Sequence, residues 1–318
     1  MSLAVEVSGL VKEFPGHTAL SGIDFSVPQG SVYGFLGPNG AGKTTTIKIL
    51  LGLIGPTRGQ ARVLGHEVRF GEPAGYLSGV GYLPQDPVFP EGLSGIEVLE
   101  LVADIYGMDR IQSRQRIGEV LEEMDLSQNA RRRASIYSRG MKQRLGLASV
   151  LLTGPDLLIL DEPVSALDPQ GRKTVLETLR ALQGKATVFL SSHILADVER
   201  VCDRVAIVDQ GQKLMEKDTR DILREYAMEQ YVIIIRAGQE ERARELLSES
   251  ASIREVEPHD NGFIITSHPG QAGVLSESVI PMLVGEGILV EEFMRRRVDL
   301  EDVFFRVIQR SSRPEVGT

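Results

Sequence analysis

Little in this 318-residue sequence could cross-link it, anchor it in a bilayer or draw it to nucleic acid. Cys202 is the only cysteine, so no internal disulfide can form and a disulfide-stapled scaffold is excluded; a reducing compartment is expected. No apolar run reaches the roughly 18 residues that cross a membrane as a helix. The greasiest stretch, Leu145–Leu160, is broken by Gly154-Pro155-Asp156. The opening MSLAVEVSGLVKEF has no basic start followed by an apolar block, and no export signal is expected. Basic excess is missing as well: net charge is −9. From residue 221 onward there are 11 Arg, no Lys and 18 Asp+Glu, a balance of −7; the first 220 residues hold 24 Lys+Arg and 26 Asp+Glu, a balance of −2. Neither part carries the positive footprint of a nucleic-acid binder, so no nucleic-acid partner is expected.

What is present is globular. Charged residues make up 25% and hydrophobic ones 42%, with a length sufficient for about two domains. Short β-branched runs bounded by Gly and Pro predict strands at Leu3–Val7, Ile23–Val27 and Ser31–Leu36, then at Gln60–Leu64 and Val80–Leu83. Residues 94–153 carry apolar positions three and four apart, among them Val98, Leu101, Val102 and Ile105, and predict helices. Strand–helix alternation then resumes from Leu157 to Val208. The expected class is α/β: a parallel-rich sheet with helices on its faces and a helical insertion at about 90–153. Domain 1–217 is followed by a charged connector helix at 218–228. Residues 229–310 then read as βαββαβ plus a closing helix, an α+β, ferredoxin-like accessory domain. Residues 311–318 are expected to be a tail.

One motif carries chemistry on its own. Gly37-Pro38-Asn39-Gly40-Ala41-Gly42-Lys43-Thr44, with Thr45 following, fits G-x-x-x-x-G-K-[ST] and stands between a predicted strand and a predicted helix. Glycines are needed because backbone N–H groups must wrap a phosphate without a Cβ in the way. Lys43 supplies positive charge to the β- and γ-oxygens, and the Thr44 hydroxyl can ligate Mg²⁺. This motif defines a P-loop NTPase core that binds nucleotide. Kinases, switches and motors share the loop, so it does not by itself name a reaction.

Leu157-Leu158-Ile159-Leu160-Asp161-Glu162 narrows the choice. Four apolar residues make a buried strand whose C-terminal end delivers two adjacent carboxylates beside the phosphates. Asp161 is expected to hold Mg²⁺. Glu162 is expected to take the proton of an attacking water or polarise it.

With Tyr137-Ser138-Arg139-Gly140-Met141 ahead of that strand, the chain resembles the nucleotide-binding subunit of an ATP-binding cassette (ABC) transporter of the bacterial drug- and antibiotic-export type. The family's Leu-Ser-Gly-Gly-Gln signature is kept at Ser138 and Gly140, while Arg139 and Met141 depart from it. The resemblance covers residues 1 to about 217 and implies further roles. Gln85, in Tyr82-Leu83-Pro84-Gln85-Asp86, would meet Mg²⁺ or the attacking water and link the site to a membrane partner. Asp168 closes a Ser165-Ala166-Leu167-Asp168 loop expected at a dimer interface. His193 would contact the γ-phosphate, and Phe14 would stack on adenine. Leu300-Glu301-Asp302-Val303-Phe304 resembles an ending of the same export-type cassettes.

The resemblance implies an ATP hydrolase that uses ATP and Mg²⁺. Two cassettes, expected as a homodimer, would close head to tail so that the signature of one completes the phosphate-loop site of the other. Closure would drive separately encoded transmembrane permease subunits at the cytoplasmic face of the cell membrane. A soluble cassette ATPase is the competing class. The span from Lys43 to Ser138 has no room for a long coiled-coil insert, and no second cassette follows. A small-molecule kinase would leave the signature, the aspartate loop and His193 unexplained. His17, His66, His259 and His268 are scattered, so no zinc site is expected.

Overall fold

The structure, a computed structural model, describes residues 2–72, 75–225, 230–268, 272–296 and 299–311. It divides into two compact units, one spanning Met1–Arg220 and resuming at Phe304, the other Asp221–Val303. The closing helix from Phe304 onward is thus grouped with the first unit, whereas the sequence pattern puts all of it in the accessory domain. Of the expected tail 311–318, Ser311 closes the last helix and residues 312–318 lie outside the described residues, as do residues 226–228 of the expected connector.

The first unit opens with β1 (Leu3–Phe14), β2 (His17–Pro28), β3 (Val32–Leu36), α1 (Lys43–Leu50), β4 (Arg58–Val63), β5 (His66–Glu67) and β6 (Val80–Leu83). Helices α2 (Gly95–Ile105), α3 (Arg110–Glu123) and α4 (Arg139–Leu152) form the insertion. Then come β7 (Leu157–Asp161), α5 (Pro169–Ala181), β8 (Thr187–Ser192), α6 (Leu195–Val201), β9 (Arg204–Asp209) and β10 (Gln212–Asp218); α7 (Thr219–Glu225) begins at the end of this unit and continues into the second. Two sheets result, β2-β1-β4-β5, which is antiparallel, and β10-β9-β3-β8-β7-β6. In the second, β9, β3, β8, β7 and β6 run parallel and β10 is an antiparallel edge.

The parallel strands are buried on both faces, which is why they read as unbroken apolar runs. Phe25 of β2 stacks on Phe189 of β8 at 5.7 Å and meets Phe35 of β3 at 5.2 Å, so one aromatic cluster joins the two sheets. Burying each such ring contributes about 1.5–3 kcal/mol. The antiparallel sheet and its 12-residue strands are longer than the short strands expected. Gly9, at φ +55, sits where the β1 register shifts, and such a bulge breaks the period-two pattern.

In the insertion, α2 begins with a capping box: the Ser94 N–H donates to Glu97 at 2.7 Å and the Glu97 N–H to Ser94 Oγ. The hydrogen bonds from Ser94 hold the Glu97 carboxyl below its usual range. Val98, Ile117, Val120 and Leu121 are buried as their spacing predicts, but Ile105 is 71% exposed.

The second unit contains β11 (Gln230–Ile235), α8 (Glu240–Glu249), β12 (Ile253–His259), β13 (Gly262–Ser267), α9 (Ala272–Gly285) and β14 (Val290–Arg296); α10 (Leu300–Ser311) begins within it. Its antiparallel sheet has the order β12-β13-β11-β14, the arrangement of a ferredoxin-like βαββαβ sandwich. Ile233, Phe263, Ile265, Leu247 and Leu283 lie in its core.

Candidate active site

The phosphate loop leaves the top of β3, a central strand whose neighbours on both sides are parallel. Gly40 and Gly42 adopt φ +86 and +100, a region closed to most side chains. Crowding restricts two positions further. A Cβ on Gly42 would stand 2.5 Å from Leu20 Cδ2 and 2.7 Å from the Ala19 carbonyl oxygen, and one on Gly37 2.3 Å from the Val208 carbonyl oxygen. The loop therefore approaches β2 and β9 at backbone distance. Helix α1 starts at Lys43, so its N-terminal N–H groups face the loop.

Lys43 and Glu162 are buried partners. Lys43 Nζ donates to the Gly37 carbonyl at 2.7 Å and stands 3.3 Å from Glu162 Oε1. Glu162 Oε2 is 2.8 Å from His193 Nδ1, and the imidazole is half exposed. Glu162 itself has φ +51, which costs a non-glycine residue about 1–3 kcal/mol. Its N–H donates to Ser191 Oγ at 3.0 Å, and the Ser191 hydroxyl donates to Asp161 Oδ1 at 2.6 Å. Register explains this clasp: Asp161 and Ser191 are paired across β7 and β8. The other Asp161 oxygen accepts from the Thr44 hydroxyl at 2.9 Å. Tyr82, on the neighbouring strand β6, has its phenol pushed up by burial and then by the Asp161 charge.

Above the loop lies a cleft of about 230 Å³, walled by Phe14, His17 and Ala19, by residues 38–45, and by Gln85 and Glu162. The structure thus brings Phe14, Pro38 to Thr45, Gln85 and Glu162 to one place, with Asp161 and His193 bonded to its members. Ser138, Gly140 and Asp168 do not line this cleft. Ser138 caps α4 by accepting from the Met141 N–H at 3.2 Å, and Asp168 caps α5 by accepting from the Gly171 N–H at 2.9 Å. The two loops lie against each other: a Cβ on Gly140 would be 3.1 Å from the Ala166 carbonyl oxygen. Arg139 places Nη2 2.8 Å from Asp86 Oδ1, tying the signature helix to the residue after Gln85.

Sequence reasoning missed Ser191 and the wall residues His17 and Ala19. Ser191 had only its nearness to His193 as a signal, because its role depends on cross-strand register. For His17 the signal was the tight turn Phe14-Pro15-Gly16-His17, which sets it opposite Phe14.

A family model described as ABC transporter matches residues 20–165. The chain is 36% identical to the bacitracin transport ATP-binding protein BcrA of Bacillus licheniformis, over 97% of this chain and 98% of that protein. It is 35% identical to the ABC transporter ATP-binding protein YxlF of Bacillus subtilis, over 96% and 99% respectively. The daunorubicin/doxorubicin resistance ATP-binding protein DrrA of Streptomyces peucetius is 40% identical over 69% of this chain and 66% of its own length. Among solved structures, an ATP-binding subunit of an ABC transporter superposes with a TM-score of 0.64 at 34% identity, covering 70% of this chain and 93% of that one. Near full-length identity of this order, together with a phosphate loop bonded through Thr44 to the carboxylate strand, places the chain in the ABC transporter family as an ATP-binding, ATPase subunit.

Proposed function

We propose that this chain hydrolyses ATP–Mg²⁺ in a head-to-tail dimer of cassettes and so drives export through separately encoded membrane subunits. The observation that carries the chemistry is the placement of Glu162, joined to Lys43 at 3.3 Å and His193 at 2.8 Å at the edge of the cleft. Bound phosphates would draw Lys43 away from Glu162. The freed carboxylate would then accept the proton of a water attacking the γ-phosphorus, while His193 holds it in line. Orientation of the acceptor and burial of its charge are what the strand, the Ser191 clasp and the left-handed backbone supply.

The Thr44 hydroxyl and the Asp161 carboxylate, 2.9 Å apart, are hard oxygen donors of the kind Mg²⁺ takes alongside substrate phosphates, and Gln85 lines the same cleft. Among the described residues no group of three or more His, Cys, Asp or Glu could hold a metal ion, and a Mg²⁺ site completed by phosphate and water does not require one. The ion, when bound, neutralises charge on the β- and γ-oxygens.

Ser138, Gly140 and Asp168 lie outside the cleft of their own chain, which accords with their serving the cleft of a second cassette. A solved neighbour of this fold is described as a dimeric ATP-binding cassette with ADP and Pi, at 22% identity. An antibiotic-class cargo is supported by the names of the relatives from B. licheniformis and S. peucetius, a bacitracin transport protein and a daunorubicin/doxorubicin resistance protein; export accords with the resistance named in the second. A membrane companion is supported by apolar side chains left in solvent on and just before the helical insertion: Val88, Ile105 and Ile111 are 89%, 71% and 83% exposed. No helix among the described residues is long and apolar enough to cross a membrane. In this proposal the cassette at 1–217 works at the cytoplasmic face through that companion, with the accessory domain following it.

Glu162→Gln tests the chemistry. The variant should bind ATP and form a stable dimer, with turnover lowered about 10²- to 10⁴-fold. Normal turnover would remove Glu162 from the mechanism.

A further inference from the structure

The cleft has a histidine in its wall to which the mechanism gives no task. Pro15 presets its own φ and Gly16 takes φ +79, so the chain reverses in two residues and Phe14 and His17 become directly paired positions of β1 and β2. Directly opposed residues of an antiparallel pair hold their Cβ atoms about 4.5–5.5 Å apart on one face of the sheet. Both side chains here border the cleft.

The strand also fixes height above the phosphate loop. Ala19, two residues along β2, borders the same cleft, and its carbonyl oxygen is the atom 2.7 Å from a Cβ built on Gly42. From Ala19 to His17 the strand climbs about 7 Å. For a nucleotide whose phosphates lie on the N–H groups of the loop, this wall, which carries the aromatic Phe14, offers the sugar and base a seat. The His17 ring is exposed and makes no hydrogen bond or ion pair among the described residues, so both ring nitrogens are available to a ligand. Lys12 is already committed: its ammonium donates to the Gly55 carbonyl at 2.7 Å and lies 5.0 Å from the Phe14 ring centroid.

We propose that His17 is a nucleoside-binding residue, its imidazole hydrogen-bonding the ribose of a nucleotide whose base rests on Phe14. The proposal rests on the ATP-binding reading of the cleft. Phe14 and His17 then act as one clip at the hairpin tip, holding the nucleoside while the loop holds the phosphates.

Isothermal titration of the full chain with ATP, GTP and inorganic tripolyphosphate separates the two ends of the ligand. His17→Ala should weaken ATP and GTP by the same factor, about three- to tenfold, and leave tripolyphosphate unchanged. Lys43→Ala should weaken all three. Unaltered ATP affinity in His17→Ala, or an equal loss on tripolyphosphate, would overturn the assignment. A loss confined to ATP would place the contact on the base and overturn the ribose assignment. Should the wild-type chain bind neither ATP nor tripolyphosphate, the nucleotide reading itself fails, and that is visible before any variant is made. His17 lies at an exposed hairpin tip, and a thermal melt of His17→Ala matching wild type would show that the fold is intact.

Discussion

Asp161 and Ser191 face each other across β7 and β8, with the Ser191 hydroxyl 2.6 Å from Asp161 Oδ1 and 3.0 Å from the Glu162 nitrogen. One hydroxyl therefore orients two consecutive acidic residues. It holds the first toward Thr44 and fixes the second in a left-handed backbone conformation that places its carboxylate between Lys43 and His193. Ser191→Ala should cost about 1–3 kcal/mol of stability through the lost buried hydrogen bonds. It should also raise the Mg²⁺ concentration needed for half-maximal ATPase several-fold. Denaturant unfolding and a Mg²⁺ titration check both, and no change in either would show that the clasp is incidental.

Lys43 is paired with Glu162 and, in the proposed mechanism, would move to the phosphates, so its removal should be felt twice. Lys43→Ala is expected to weaken ATP binding about 10- to 100-fold, the worth of hydrogen bonds to a charged group. It should abolish measurable turnover while leaving circular dichroism native. Retention of wild-type affinity would mean that the loop N–H groups suffice.

Gly42 combines φ +100 with crowding: a Cβ there would stand 2.7 Å from the Ala19 carbonyl oxygen. Gly42→Ala must either distort the loop or push β2 away, a strain of about 1–3 kcal/mol or more. A lowered melting temperature together with lost ATP binding is the expected result. Gly40 shares the backbone conformation, but a Cβ there meets nothing within 4 Å. Gly40→Ala should therefore cost less than Gly42→Ala, and the reverse order would refute the crowding argument.

Ile105 is solvent-exposed on a helix whose buried face lies elsewhere. Ile105→Glu should change stability by no more than about 0.5 kcal/mol, as surface substitutions do, and leave the ATPase of the isolated chain intact. Co-purification with a membrane subunit should drop sharply. Unchanged recovery of that subunit would place the docking surface elsewhere.

The features that were legible in the sequence are local ones. The phosphate loop and the Leu157–Asp161 strand announce themselves because a glycine pattern and an apolar run need no distant partner to be recognised. Four features stayed hidden because they depend on pairing. β1 and β2 extend well past their apolar cores, with Gly9 and Gly22 at positive φ interrupting the alternation. β10, Gln212–Asp218, is a polar edge strand with no fully buried residue to mark it. Ser191 and His17 owe their positions to cross-strand register, which composition does not reveal. Ser138 and Gly140 could be located only by the family resemblance, since within one chain they form a helix start away from the cleft. The exposed face of α2 shows the converse: its spacing predicts a helix correctly, yet Ile105 belongs to the outside.

The central claim is that ATP hydrolysis here serves a membrane partner. Tagged protein purified from detergent-solubilised native membranes, with ATPase measured on the product, tests it directly. The account predicts a stoichiometric multi-spanning companion whose presence alters the ATPase rate. A chain recovered without any membrane companion and fully active on its own would contradict transport and return the soluble cassette ATPase as the better description.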